Sequence, residues 1–188
     1  MKKIAIFASG GGSNFKAIYE KIISGDIPAE ITIVVSNNPN CGTINFAKKN
    51  ALSTLIVNKT RYPDPYSLNM LLKQNLLKAD VDLICLAGYM KIIPQNIVAH
   101  FKNCILNIHP SLLPNFGGKG FYGMKVHDAV IQSNAVESGA TVHFVDNNSI
   151  PCCVKNCPNS TIPSLSHTLS NARLIFIRLL FVPFFKLR

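Results

Sequence analysis

The sequence predicts an α/β fold: a doubly wound, mostly parallel sheet with helices on both faces. Three observations predict it. Short β-branched apolar runs alternate five times with segments of helical spacing. The first apolar run passes into Gly10-Gly11-Gly12 and then directly into a helical pattern. Asn107 and His109, two apart in another apolar run, share one face of an extended backbone. In such sheets ligands bind beyond the carboxyl ends of the strands.

The elements come in order. Lys3–Phe7 is a buried first strand, apolar without alternation. Ala8–Asn14 turns the chain into a helix from Phe15 to about Ile23. Free N–H groups and the helix dipole favour an anion at Gly12, Ser13 and Asn14, although Ser13 or Asn14 can equally serve as a plain helix cap. The turn is neither the dinucleotide G-x-G-x-x-G pattern nor a P-loop with its Lys-Ser/Thr. Ile31–Val35 is the second strand, closed by the turn cluster Ser36–Asn40. A helix over Thr43–Asn50 leads to a third strand at Thr54–Val57.

After a break at Tyr62–Pro65, Leu68, Leu71, Leu72 and Leu76 give Tyr66–Ala79 helical spacing. Asp82–Ala87 is the fourth strand. It ends in Gly88–Pro94, an apolar loop that either walls a flat aromatic ligand or fills core. A helix around Gln95–Phe101 precedes the strand that begins at Cys104 and carries Asn107 and His109. Pro110 and Pro114 stiffen the loop after that strand. Right-handed crossovers would gather Gly10–Asn14, Gly88–Ile93 and Asn107–Pro114 on one edge.

At 188 residues the chain reads as one domain with ample length to bury a core, and 48% apolar content marks it as globular. No apolar run reaches the roughly 18 residues of a membrane span. Only five apolar residues follow Met1-Lys2-Lys3 before the glycines, so no signal peptide is expected. Cysteines 41, 85, 104, 152, 153 and 157 give no disulfide framework, and a reduced, cytoplasmic protein is expected. The thiols and imidazoles do not cluster at ligand spacing, so no metal is expected. The net charge of +10 is uneven. Five basic residues and no acid follow Asp146, whereas residues 1–149 hold 14 basic and 9 acidic side chains. That mild excess suits anionic small molecules and does not by itself argue for nucleic acid or a membrane surface.

Four motifs carry a family resemblance: Phe7–Asn14, Leu86–Ile93, Leu106–Pro114 and Ser138–Asp146. In this order, over about residues 1–149, they resemble phosphoribosylglycinamide formyltransferases, the folate-dependent enzymes of purine biosynthesis. The segment Phe116–Val130 resembles one bacterial branch. The resemblance implies that Gly12, Ser13 and Asn14 hold the phosphate of glycinamide ribonucleotide. Met90, Lys91, Ile92 and Ile93 would line the pterin slot of 10-formyltetrahydrofolate, the co-substrate, with Asn107 beside it. His109, as imidazolium or donor, and the Asn107 amide would stabilise the oxyanion of a tetrahedral intermediate. Lys119 and His127 would at most guide anionic substrates. The implied enzyme is a monomer or homodimer with no nucleic-acid, membrane or metal partner.

The sequence also departs from the family. There an aspartate in an Asp-x-Gly turn lies seven residues beyond the His of the His-Phe-Val motif and raises the catalytic histidine's pKa. Seven residues beyond His143 stands Ile150, and no carboxylate follows Asp146. The family's remaining strand and C-terminal helix are replaced by residues 150–188, with Cys152, Cys153, Cys157 and the basic apolar run Leu174–Leu187. This tail reads as a translated out-of-frame segment; a metal site, a membrane anchor or a basic interaction tail are weaker readings. The expected product is a formyltransferase domain over 1–149 with impaired catalysis. The alternatives are a non-catalytic ribonucleotide-binding remnant, or a formyltetrahydrofolate hydrolase or methionyl-tRNA formyltransferase. The hydrolase's N-terminal regulatory domain is not expected, because the chain opens on its first strand, and some 40 residues of tail cannot supply a tRNA-binding domain.

Overall fold

The computed structural model describes residues 1–113, 115–117, 124–133, 135 and 137–145. Unbroken apolar runs become strands covered on both sides. In β1 (Lys2–Phe7), Ile4 and Ile6 pack to one face while Ala5 and Phe7 pack to the other. β2 (Ala29–Ser36) does the same, with Ala29, Ile31 and Val34 on the first face and Ile33 and Val35 on the second. The pairing of β1 with β2 slips between Ile4 and Ala5, so Thr32 is an extra residue, and its buried hydroxyl has no hydrogen-bond partner among the described residues.

Helices α1 (Ser13–Ile23) and α2 (Gly42–Lys49) cover the first face through Phe15, Ile18 and Ala47. After β3 (Thr54–Ile56) come α3 (Pro65–Lys78), β4 (Leu83–Leu86) and α4 (Gln95–His100). Helices α3 and α4 cover the second face through Leu72, Leu76, Ile97 and Val98. The start of α3 is set locally: Asp64 accepts from the N–H groups of Tyr66 and Ser67, and Pro65 stands where no N–H is needed.

Then come β5 (Ile105–His109), α5 (Met124–Gln132) and β6 (Thr141–Phe144). The six strands form one sheet in the order β3-β2-β1-β4-β5-β6, parallel except for β6, which runs antiparallel to β5. The doubly wound α/β fold expected from the sequence is therefore what forms, with element boundaries within about two residues. Periodicity alone shows no helix at α5, which reads as part of a connecting segment, and β6 reads only as a motif. Lys119, Asp146 and the whole of 150–188 lie outside the described residues.

One backbone position controls the first turn. Gly12 precedes α1 with φ of 76°, and a Cβ there would meet the Thr43 hydroxyl at 2.7 Å. Gly12→Ala is expected to cost about 1–2 kcal/mol in urea unfolding from the left-handed backbone alone. Gly11→Ala, where a Cβ meets nothing within 4 Å, is expected to change little.

Candidate active site at the carboxyl edge of the sheet

One row of residues crosses the sheet in register: Leu55, Val35, Phe7, Leu86, Asn107 and His143. It is apolar from β3 to β4 and polar on β5 and β6. The loops after β1 and β4 begin just past this row, at the position where the strand order reverses.

The loop after β1 is held by backbone and hydroxyl contacts to α2. The Gly10 carbonyl accepts from both the Thr43 N–H and the Thr43 hydroxyl, at 3.1 and 2.9 Å. Among the described residues no side chain caps α1, and no acidic residue stands in its first turn. Its N-terminal N–H groups and dipole thus remain suited to an anion beside Ser13 and Asn14. The loop after β4 leaves Met90 and Ile92 exposed, at 42% and 51%, with Lys91 between them also exposed. Ile93 is turned inward at 2% exposure, packed in the core layer with Tyr89. Three of the four predicted slot residues therefore offer surface, whereas Ile93 belongs to the core.

Strands β5 and β6 bring four polar side chains to one face. Asn107 stands opposite His143 and His109 opposite Thr141, and directly opposed residues project to the same side. That side is also the one to which Ile105 and Val145 belong, the face of α3, α4 and Tyr89. The His143 Nδ1–H lies 3.0 Å from the Phe144 carbonyl, which leaves Nε2 as an acceptor. The Asn107 Nδ2–H fills it at 3.1 Å, so one end of the amide is fixed.

His109 is 3% exposed, and its Nε2–H donates to the Phe116 carbonyl at 3.1 Å. Phe116 sits in the left-handed region at φ 54°, and its carbonyl also receives the Ser111 hydroxyl at 3.4 Å. Thr141 completes the clasp: its hydroxyl donates to the Ser111 carbonyl at 2.7 Å and accepts from the Leu113 N–H at 3.0 Å. Phe116 also lines a cavity of about 320 Å³ together with Leu112, Asn115, Val130, Glu137 and Ser138.

Burial pushes the His109 pKa below its ordinary 6.5, and the nearby His143 adds to that, while the Phe116 carbonyl opposes it. The imidazole is accordingly neutral near pH 7, a donor through Nε2. Among the described residues no group of three or more His, Cys, Asp or Glu side chains could hold a metal ion.

The sheet thus gathers Gly12, Ser13, Asn14, Met90, Lys91, Ile92, Asn107 and His109 on one edge. His127 belongs to α5. Sequence reasoning missed Ser9, Ser111, Thr141 and His143 as parts of the assembly. Only pairing of β5 with β6 reveals the last two, and the Thr-x-His spacing of β6 was the available signal.

Residues 2–149 match the model of the family described as formyl transferase. A chloroplastic phosphoribosylglycinamide formyltransferase of Vigna unguiculata is 47% identical over 146 residues, 77% of this chain and 46% of that protein. Its counterpart in Arabidopsis thaliana is 46% identical over 146 residues, 77% of this chain and 50% of that protein. The chain therefore spans about half the length of these relatives. Among solved structures, glycinamide ribonucleotide transformylase 1 from Geobacillus kaustophilus is similar with a TM-score of 0.73 at 30% identity, covering 95% of this chain and 93% of that one.

Two outcomes are expected of the His109 clasp. Because the folded state holds His109 neutral, the unfolded chain takes up its proton first as pH falls below 6.5. Stability is present above that value and declines as pH drops toward the lower folded pKa. Urea unfolding at about pH 7.5 and about pH 5.5 should show a smaller acid loss for His109→Gln than for the unaltered chain. Thr141→Val keeps the shape but deletes both hydroxyl hydrogen bonds; a loss of about 1–3 kcal/mol in urea unfolding is expected.

Proposed function

The chain belongs to the formyl transferase family, and on that premise we propose that it transfers a formyl group from 10-formyltetrahydrofolate to the amine of glycinamide ribonucleotide, a step of purine biosynthesis. The observation that carries this reading is the placement of Asn107 and His109 on the same sheet edge as the uncapped N-terminus of α1. The ribonucleotide phosphate binds at Gly12, Ser13 and Asn14. The pterin lies along Met90, Lys91 and Ile92, with Ile93 in the core, and Asn107 stands at its reacting end.

The amine attacks the formyl carbon and the carbonyl oxygen becomes negative. His109 Nε2–H and the Asn107 amide stabilise that oxygen. The formyl oxygen replaces the Phe116 carbonyl as the acceptor of the His109 hydrogen bond, so substrate entry and movement of the loop over His109 go together. The tetrahedral centre collapses as the bond to the folate nitrogen breaks and a proton passes to that nitrogen. Of the two roles expected for His109, the neutral donor is favoured, since burial opposes its charged form.

Residues 1–149 form the formyltransferase domain in this reading, and 150–188 are an out-of-frame tail. With Ile150 where the family has its aspartate, no carboxylate at that position raises the His109 pKa, and turnover is impaired. A cytoplasmic monomer or homodimer acting on small molecules alone completes the reading, and the free thiols of Cys41, Cys85 and Cys104 suit a reducing compartment.

Formyl transfer, followed as tetrahydrofolate release from the full chain with both substrates, tests this. Turnover is expected at least about a hundredfold below the usual 1–10³ s⁻¹. His109→Ala is expected to remove a further factor of about 10² or more, to background. Ordinary turnover by the unaltered chain would overturn the impairment. Binding of both substrates without any transfer would make the chain a ribonucleotide-binding remnant, and failure to bind either would overturn the assignment.

A further inference from the structure

Five loops leave the carboxyl edge of the parallel strands, and one hydroxyl joins three of them. The Ser9 Oγ–H donates to Asn37 Oδ1 in the loop after β2, and the same oxygen accepts the Met90 N–H, in the loop after β4, at 2.8 Å. The Ser9 backbone N–H donates to the Gly88 carbonyl at 3.1 Å. Asn37 passes the connection on, since its carbonyl accepts from Asn58 Nδ2 at 3.2 Å, in the segment after β3. The adjoining Gly10 is held separately, by Thr43. The phosphate cradle therefore has its own anchor in α2, whereas the backbone of Met90 is anchored through Ser9.

From this arrangement we infer that Ser9 is a positioning residue that sets the folate-side wall, Gly88–Ile92, against the phosphate cradle. The inference rests on the reading of Met90–Ile93 as the pterin slot and adds to it the residue that fixes where the slot stands. Met90 and Ile92 are exposed and do not hold the loop by burial. Among the described residues Ile93 and Tyr89 anchor it in the core. Between those anchors and β1 the registration of the exposed wall depends on the Ser9 hydroxyl and backbone. Reacting groups must come within about 3–3.5 Å of one another, so a wall free to drift by about 1 Å matters.

The test compares Ser9→Ala and Ser9→Thr with the unaltered full chain, using 5-formyltetrahydrofolate as the folate probe and ribose 5-phosphate as the phosphate probe. Ser9→Ala is expected to weaken the folate probe about fivefold to tenfold, the worth of one hydrogen bond, while ribose 5-phosphate changes less than about twofold. Amide hydrogen exchange at Met90 should be slow in the unaltered chain and fast in Ser9→Ala. Ser9→Thr, which keeps the hydroxyl, should restore both readouts. Equal loss of both probes together with a lowered Tm would mean that Ser9 only supports the fold, and would overturn the inference. So would an unchanged folate affinity in Ser9→Ala. Should the unaltered chain bind the phosphate probe but not the folate probe, the slot itself is misplaced and the inference falls with it.

Discussion

Because β4 returns to pair in parallel with β1, Phe7 opposite Leu86, the chain winds outward in two directions from a single line. The loops after β1 and β4 depart toward opposite faces, α1 covering one and α4 the other. A crevice is left between them at the strands' carboxyl ends. Everything assigned to the site stands beside that line. The glycine turn is on one flank, the Met90 loop is on the other, and β5 is the next strand along.

The pairing of β5 with β6 lets polar groups sit in the sheet, His109 buried and Asn107, Thr141 and His143 half-buried. Along the row through Phe7 the sheet is apolar from β3 to β4, and Asn107 and His143 end that run on β5 and β6, with His109 and Thr141 beside them. Buried polar groups persist when they are paired, and these are: amide to imidazole, imidazole to carbonyl, hydroxyl to carbonyl and N–H. Each bond also sets a direction. The His143 tautomer orients the Asn107 amide, and the Phe116 carbonyl keeps the His109 proton on Nε2. A cluster built this way is pre-organised for hydrogen-bond donation, and burial keeps its histidine uncharged.

How much of this could be read along the chain depends on which signals are local. Strands β1, β2 and β4 announce themselves as largely apolar, β-branched runs, β5 as an apolar run carrying Asn107 and His109, and α3 as a leucine stripe behind an Asp-Pro start. The Gly10–Gly12 turn marks the first strand-to-helix junction, and Asn107 with His109 marks a strand end. Helix α5 is nine residues in a glycine-rich neighbourhood, and β6 is four half-buried residues, too short for periodicity to stand out. Ile93 looks, in sequence, like one more apolar residue of a ligand-facing loop. In the structure it belongs to the same core cluster as Tyr89.

By itself the sequence determined the order of elements, the family motifs, the glycine turn and the strand-end amide and imidazole, since these are written in consecutive residues. Only the tertiary structure decided that Ser9 meets Met90, that Asn107 is held by His143 and that His109 donates to the Phe116 carbonyl. Those partners lie 81, 36 and 7 residues apart. The physical reason is that a hydrogen bond depends on distance in space, and a single serine, histidine or carbonyl carries no local pattern saying which strand will bring it within about 3 Å of its partner.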